Sequence, residues 1–196
     1  DNPYIDQEEY RASLAELDET TRKQLEEGLW VTDPAGKPFL PDFWEGQNRY
    51  LIGETTDEPI GRYISWDTAL EDKEKSAYSV GIVGELQPDY RLRIVDLWRG
   101  KPLFPDLPDV MAELAYKHNR GNLLRANIIE GAASGKPAVQ TLRASSDDWL
   151  ARSVVELAPK GSKEERANRA AVWAKRGLIL LPHPDERAQW LIDFER

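Results

Sequence analysis

The 196-residue sequence contains no cysteine. Disulfides and thiolate metal sites are therefore excluded, and a reducing compartment is favoured. Histidine is nearly as scarce. His118 and His183 are too few for a multi-histidine zinc site. A catalytic metal would have to use carboxylate oxygens, which suits magnesium or manganese. No apolar run reaches about eighteen residues, so no stretch reads as a membrane span. The opening "DNPYIDQEEY" has no basic n-region and no apolar h-region, so no secretory signal is expected. Internal repeats, low-complexity tracts and the phosphate-loop pattern G-x-x-x-x-G-K-[ST] are also missing. Nor is there an excess of basic residues, because the formal net charge is −9. Taken alone, that argues against nucleic-acid binding, which needs Lys and Arg for phosphate. A nuclease with acidic residues at its centre and basic residues on one face would escape the objection.

What is present is the pattern of a soluble α/β chain long enough to bury a core. Residues 6–28 are rich in helix formers, with Tyr10, Leu14 and Leu17 at helical spacing, Asp18 as a cap and Gly28 as a stop. The stretch 33–50 reads as a loop that packs onto something. Residues 1–55 are thus expected to be a helical linker or adaptor, and 56–196 the main domain. Strands are predicted at 60–67, 77–86 and 90–100, the last two joined by the short link "QPD". A helix over 106–120 carries Val110, Leu114 and Ala115 on one face. A strand at 123–131, a short helix at 134–145, a strand at 153–159, a helix at 162–177, a strand at 178–182 and a helix at 185–196 complete the order.

Three adjacent antiparallel strands followed by βα units predict a mixed sheet with helices outside it. That order resembles a ribonuclease H-like sheet, in which the fourth strand lies beside the first and parallel to it. Asp67 ends the first predicted strand and Glu130 the fourth. As parallel neighbours, both carboxylates would emerge at one sheet edge. Their mutual repulsion would be relieved by a divalent cation. With a third acid, such a site holds two ions roughly 3.5–4 Å apart.

Longer matches follow the same course. "NPY" (2–4), "LEEGLWV" (25–31), "ISWDTALEDKEKSAYSVGIV" (64–83), "IVDLWRGK" (94–101), "IIEGAASGKPAVQTLR" (128–143) and "PKGSKEERANRAAVWAKRGLILLP" (159–182) occur in this order. Together they resemble the C-terminal nuclease part of phage large terminase subunits, which cut concatemeric viral DNA during packaging. The resemblance implies a metal-dependent endonuclease acting on double-stranded DNA, with Asp67 and Glu130 as catalytic metal ligands. Its cofactors would be Mg or Mn, two ions in all. Its partners would be a packaging ATPase domain, a small terminase subunit and the portal protein, with no membrane involved. A phage- or prophage-encoded protein of the host cytoplasm, outside the mature virion, is the matching location. The family's further acidic cluster after a segment like "WLIDFER" is absent, and Asp193 does not sit in that motif, so the third ligand has no counterpart. The ATPase motif is missing too.

Each feature has a plainer reading. Asp67 can cap a turn through its own backbone, and Glu130 can be a surface acid. Asp96 faces solvent, pairs with an arginine, or stands beside the metal. Ser79 fills a ladder position or touches a phosphate. Lys160, Lys163, Arg166 and Arg169 are solvated surface or DNA contacts beside the metals. Gly131 and Gly135 serve tight packing or the approach of a DNA backbone. The seven tryptophans are scattered and form no base-stacking stripe. Two other functions fit the same sheet: a transposase or junction resolvase, and a non-catalytic portal-docking module.

Overall fold

The computed structural model describes residues 41–44, 46–53, 58–69, 78–131, 135–186 and 190–191. Residues from Asp42 onward belong to one compact unit. Its strands are β1 (Arg49–Tyr50), β2 (Gly61–Asp67), β3 (Ser79–Leu86), β4 (Leu92–Gly100), β5 (Leu124–Glu130), β6 (Val154–Leu157) and β7 (Ile179–Pro182). Its helices are α1 (Leu107–His118), α2 (Gly135–Arg143), α3 (Asp148–Ser153) and α4 (Lys163–Lys175).

The seven strands form one mixed sheet in the order β1-β7-β4-β3-β2-β5-β6. β2, β3 and β4 are antiparallel neighbours. β5 lies beside β2 and parallel to it, and β6 continues in parallel beyond β5. This is the strand arrangement that the resemblance stated above implies, with β5 beside β2 and parallel to it.

Alternation along β2 divides the sheet. Ile64 and Trp66 are buried, while Ser65 and Asp67 are exposed. Directly paired residues share a face, so the row Ile64–Val83–Asp96 lies on one side of the sheet. Helices cover that side. α1 presents Leu107, Met111, Leu114 and Ala115, and α2 presents Ala138, Val139 and Leu142, each set at helical spacing. They pack with Ile64, Trp66, Val83 and Ile129 into the main core. Each of the buried Leu, Ile, Val and Met side chains contributes about 1.5–3 kcal/mol on burial, and the alanines less. Trp98 tilts against Trp66, ring centroids 5.8 Å apart. Gly81 makes this contact possible, because a Cβ there would press into the Trp66 ring.

A bulge interrupts β4. Asp96 stands opposite Val83 and Ile94 opposite Gly84, so Val95 is the extra residue between them.

Several expectations are corrected. The segment 33–50 is not all loop where it is described. Pro41–Trp44 and Gly46–Asn48 are 3-10 turns, and β1 pairs in parallel with β7. The sheet therefore recruits residues from the stretch expected to be linker. Asp148–Ser153 is helical, capped by the Asp147 carboxylate, which accepts from the backbone N–H groups of Trp149 and Leu150. The stretch 185–196 was expected as one helix. It opens instead with a 3-10 turn at Pro184–Glu186, is helical at 190–191, and otherwise lies outside the described residues. So do residues 1–40, with the predicted linker helices and the first two matching segments. No helix among the described residues is long and apolar enough to cross a membrane.

Candidate active site

Trp66 of β2 is the register partner of Ile129 of β5. The next residue of each strand is Asp67 and Glu130. Parallel neighbours run in the same direction about 4.8 Å apart. Both carboxylates therefore leave at the C-terminal edge, on the face opposite α1 and α2.

Each meets a cation from the first turn of α4. Lys163 Nζ lies 3.0 Å from Asp67 Oδ2, and Arg166 Nη2 lies 3.3 Å from Glu130 Oε2. The first pair is mostly exposed and the second is half as accessible. A capping box sets the helix start that delivers these cations. Ser162 Oγ accepts from the Glu165 N–H at 3.1 Å, and the Ser162 N–H donates to Glu165 Oε2 at 2.8 Å. The sequence S-x-x-E at 162–165 carries that signal openly. Arg166 also donates to the Gly161 carbonyl, and Arg169 to the Lys160 carbonyl. Arg169 thus secures the loop before the helix, and the Lys160 side chain is exposed.

The remaining candidates lie elsewhere. Asp96 is on the helix-covered face, away from Asp67 and Glu130. Lys117 Nζ lies 2.6 Å and His118 Nε2 2.8 Å from its Oδ2. Burial pushes its pKa up, but hydrogen bonds from His118 and Lys117 and their charges outweigh burial and hold it below the usual carboxylate value. Asp96 therefore ties β4 to the end of α1 and does not join the other two acids. Its partners are a lysine and a histidine, not the arginine of the plainer reading. Ser79 is buried, and its Oγ accepts from the Ala69 N–H at 3.0 Å. It holds the chain just after Asp67.

The glycines after Glu130 have internal reasons. A Cβ on Gly135 would fall on the Glu130 carbonyl oxygen, and one on Gly131 would meet the Glu156 carboxylate. Both satisfy packing within the chain, the plainer of the two readings.

A divalent metal can be tested against these donors. Asp67 and Glu130 offer hard carboxylate oxygens without thiolate or imidazole, which matches magnesium or manganese. Both carboxylates already pair with cations of the chain, Lys163 and Arg166, with which a metal ion would compete. Among the described residues no group of three or more His, Cys, Asp or Glu could hold a metal ion. Two ions would need further donors.

No protein-family model matches the chain, and no curated protein matches it. Solved structures do. The large terminase of the thermophilic bacteriophage D6E matches over 72% of this chain and 33% of its own, at 10% identity and TM-score 0.52. The same terminase in complex with ATP-gamma-S matches over 92% of this chain and 42% of its own, at 11% identity and TM-score 0.53. A looser likeness, TM-score 0.40 at 16% identity, links 72% of the chain to 81% of the large terminase nuclease from thermophilic phage G20c, solved with bound zinc. At that score it supports no conclusion. This chain spans 33% and 42% of these two D6E chains and shares with that part the fold of a phage large terminase.

Proposed function

We propose that this chain is the nuclease part of a phage DNA-packaging terminase, hydrolysing phosphodiesters in double-stranded DNA. One observation carries the reading. The β2–β5 register sets Asp67 beside Glu130 at one edge and on one face, within a fold shared with large terminases.

Asp67 and Glu130 would hold Mg or Mn. A divalent ion there supplies Lewis-acid activation of water and of the phosphodiester. The chain's own contribution is positional. β2 and β5 are neighbouring strands of a packed sheet, so they fix the carboxylates without costly loop ordering. Lys163 and Arg166 balance the two acids and lie where phosphate charge would arrive. Extension to a second ion requires a donor from outside the described residues.

The partners follow from the same reading: double-stranded DNA, a packaging ATPase domain, a small terminase subunit and a portal. So does a phage-encoded origin with action in the host cytoplasm, outside the mature virion. A transposase or resolvase would share the chemistry, and substrate preference separates them. Resolvases favour branched DNA, and transposases join ends.

Plasmid nicking in Mn or Mg tests the reading. Asp67→Asn and Glu130→Gln should each keep the fold and reduce cleavage by at least about a hundredfold. Cleavage by either variant at the parent rate would sink the assignment.

A further inference from the structure

We infer that Tyr78, Arg99 and Lys101 form a phosphate-binding cluster that holds the DNA backbone beside the Asp67–Glu130 edge. The inference rests on the nuclease reading and adds where the substrate lies.

The register places the cluster. Asp67 pairs with Val80, and Val80 pairs with Arg99. Paired residues share a face, so Arg99 lies on the same face as Asp67. Two strand spacings separate them, about 10 Å. Tyr78 and Lys101, each two residues from a member of that row, alternate onto the same side. All three lie at the edge where Asp67 and Glu130 emerge.

The side chains converge. The Arg99 guanidinium carbon lies 3.9 Å from the Tyr78 ring centroid, and Lys101 Nζ lies 4.7 Å from it. All three residues are exposed. An aromatic face can hold a guanidinium while its N–H groups make a bidentate phosphate contact, and Arg99 is exposed beside the Tyr78 ring. The lysine adds a second positive charge on the same ring. In a chain of net charge −9, two cations gathered on one ring next to an acidic site are not a general surface property.

The spacing suits a duplex. Each strand carries one phosphate per nucleotide, about 3.4 Å of axial rise apart, and the helical path of the backbone makes the direct spacing longer, so about 10 Å spans one to two nucleotides. A backbone whose scissile phosphate sits at Asp67 and Glu130 would bring a phosphate one or two nucleotides away to Arg99.

Fluorescence anisotropy with a labelled duplex tests the cluster, using the full 196-residue chain without divalent metal over a series of salt concentrations. Arg99→Ala combined with Lys101→Ala should weaken binding. It should also reduce the slope of log K against log salt by about 2, the loss of two phosphate contacts. Tyr78→Phe should bind like the parent, because the ring is kept, and Tyr78→Ala should bind more weakly. Unchanged affinity and slope in the double variant would overturn the inference, as would absence of binding by the parent at low salt. The nuclease reading fails separately, if Asp67→Asn still cleaves.

Discussion

Lys163 Nζ stands 3.0 Å from Asp67 Oδ2, so an acid proposed to bind metal is already neutralised from within the chain. A divalent ion must compete with that ammonium. Both groups are mostly exposed, so the pair itself is weak. Lys163→Ala should therefore bind Mn about two- to fivefold more tightly by calorimetry, with little change in melting temperature. Weaker binding by this variant would mean that Lys163 supports the ion and does not oppose it.

Asp96 should govern acid stability. Its pKa is depressed, so its stabilising contribution is fully present above the ordinary value of 3.8 and is lost as pH falls through the lower folded value. Asp96→Asn should cost about 1.5–3 kcal/mol near neutrality. The gap between parent and variant should shrink on acidification below pH 3.8, followed by denaturant unfolding. A gap of constant size through that window would show that the pairing with His118 and Lys117 does not set it.

Gly135→Ala sets two effects against each other. Helix propensity favours alanine, by less than the about 1 kcal/mol of a helix interior because Gly135 opens α2. The new Cβ, however, would fall on the Glu130 carbonyl oxygen, and backbone cannot step aside as a flexible side chain can. The variant should lose about 1–3 kcal/mol net, and Mn affinity should fall as Glu130 is displaced. A gain in stability would show that the close approach is not restrictive.

Ser162→Ala removes one half of the capping box at the start of α4. It should cost about 1 kcal/mol and be partly rescued by Ser162→Asp. Chemical denaturation reads both. No loss in the alanine variant would mean that Arg166 and Arg169 alone hold this turn.

Much of the sheet was legible in the sequence because its signals are local. "GRYISWD" alternates buried and exposed positions over its last four residues, and the helix face read at Val110, Leu114 and Ala115 is buried at Leu114 and Ala115, to which the structure adds Leu107 and Met111. The juxtaposition of Asp67 with Glu130 came from the resemblance to a ribonuclease H-like sheet, in which the fourth strand lies beside the first and parallel to it, and β5 does pair with β2 in parallel. Other features depend on partners far along the chain. β1 has only two residues and gains its identity from β7. Asp96 could be assigned a face only once its register against Val83 was known. Ser79 looked like any strand serine until its hydroxyl met the Ala69 N–H. The cluster of Tyr78, Arg99 and Lys101 joins the start of one strand to the end of the next, and no spacing within either marks it.

The single extra residue in β4 acts as a frame shift in side-chain alternation. Before Val95, Leu92 and Ile94 share Asp67's side of the sheet; after it, the even positions Asp96 and Trp98 turn toward the helices. Arg99 is thereby placed on Asp67's side while Trp98 keeps its place against Trp66. Deleting Val95 would restore regular parity, and half of the strand would have to turn over. One backbone residue thus sorts the strand's charges, the acid inward to lysine and histidine and the arginine outward to the carboxylate edge.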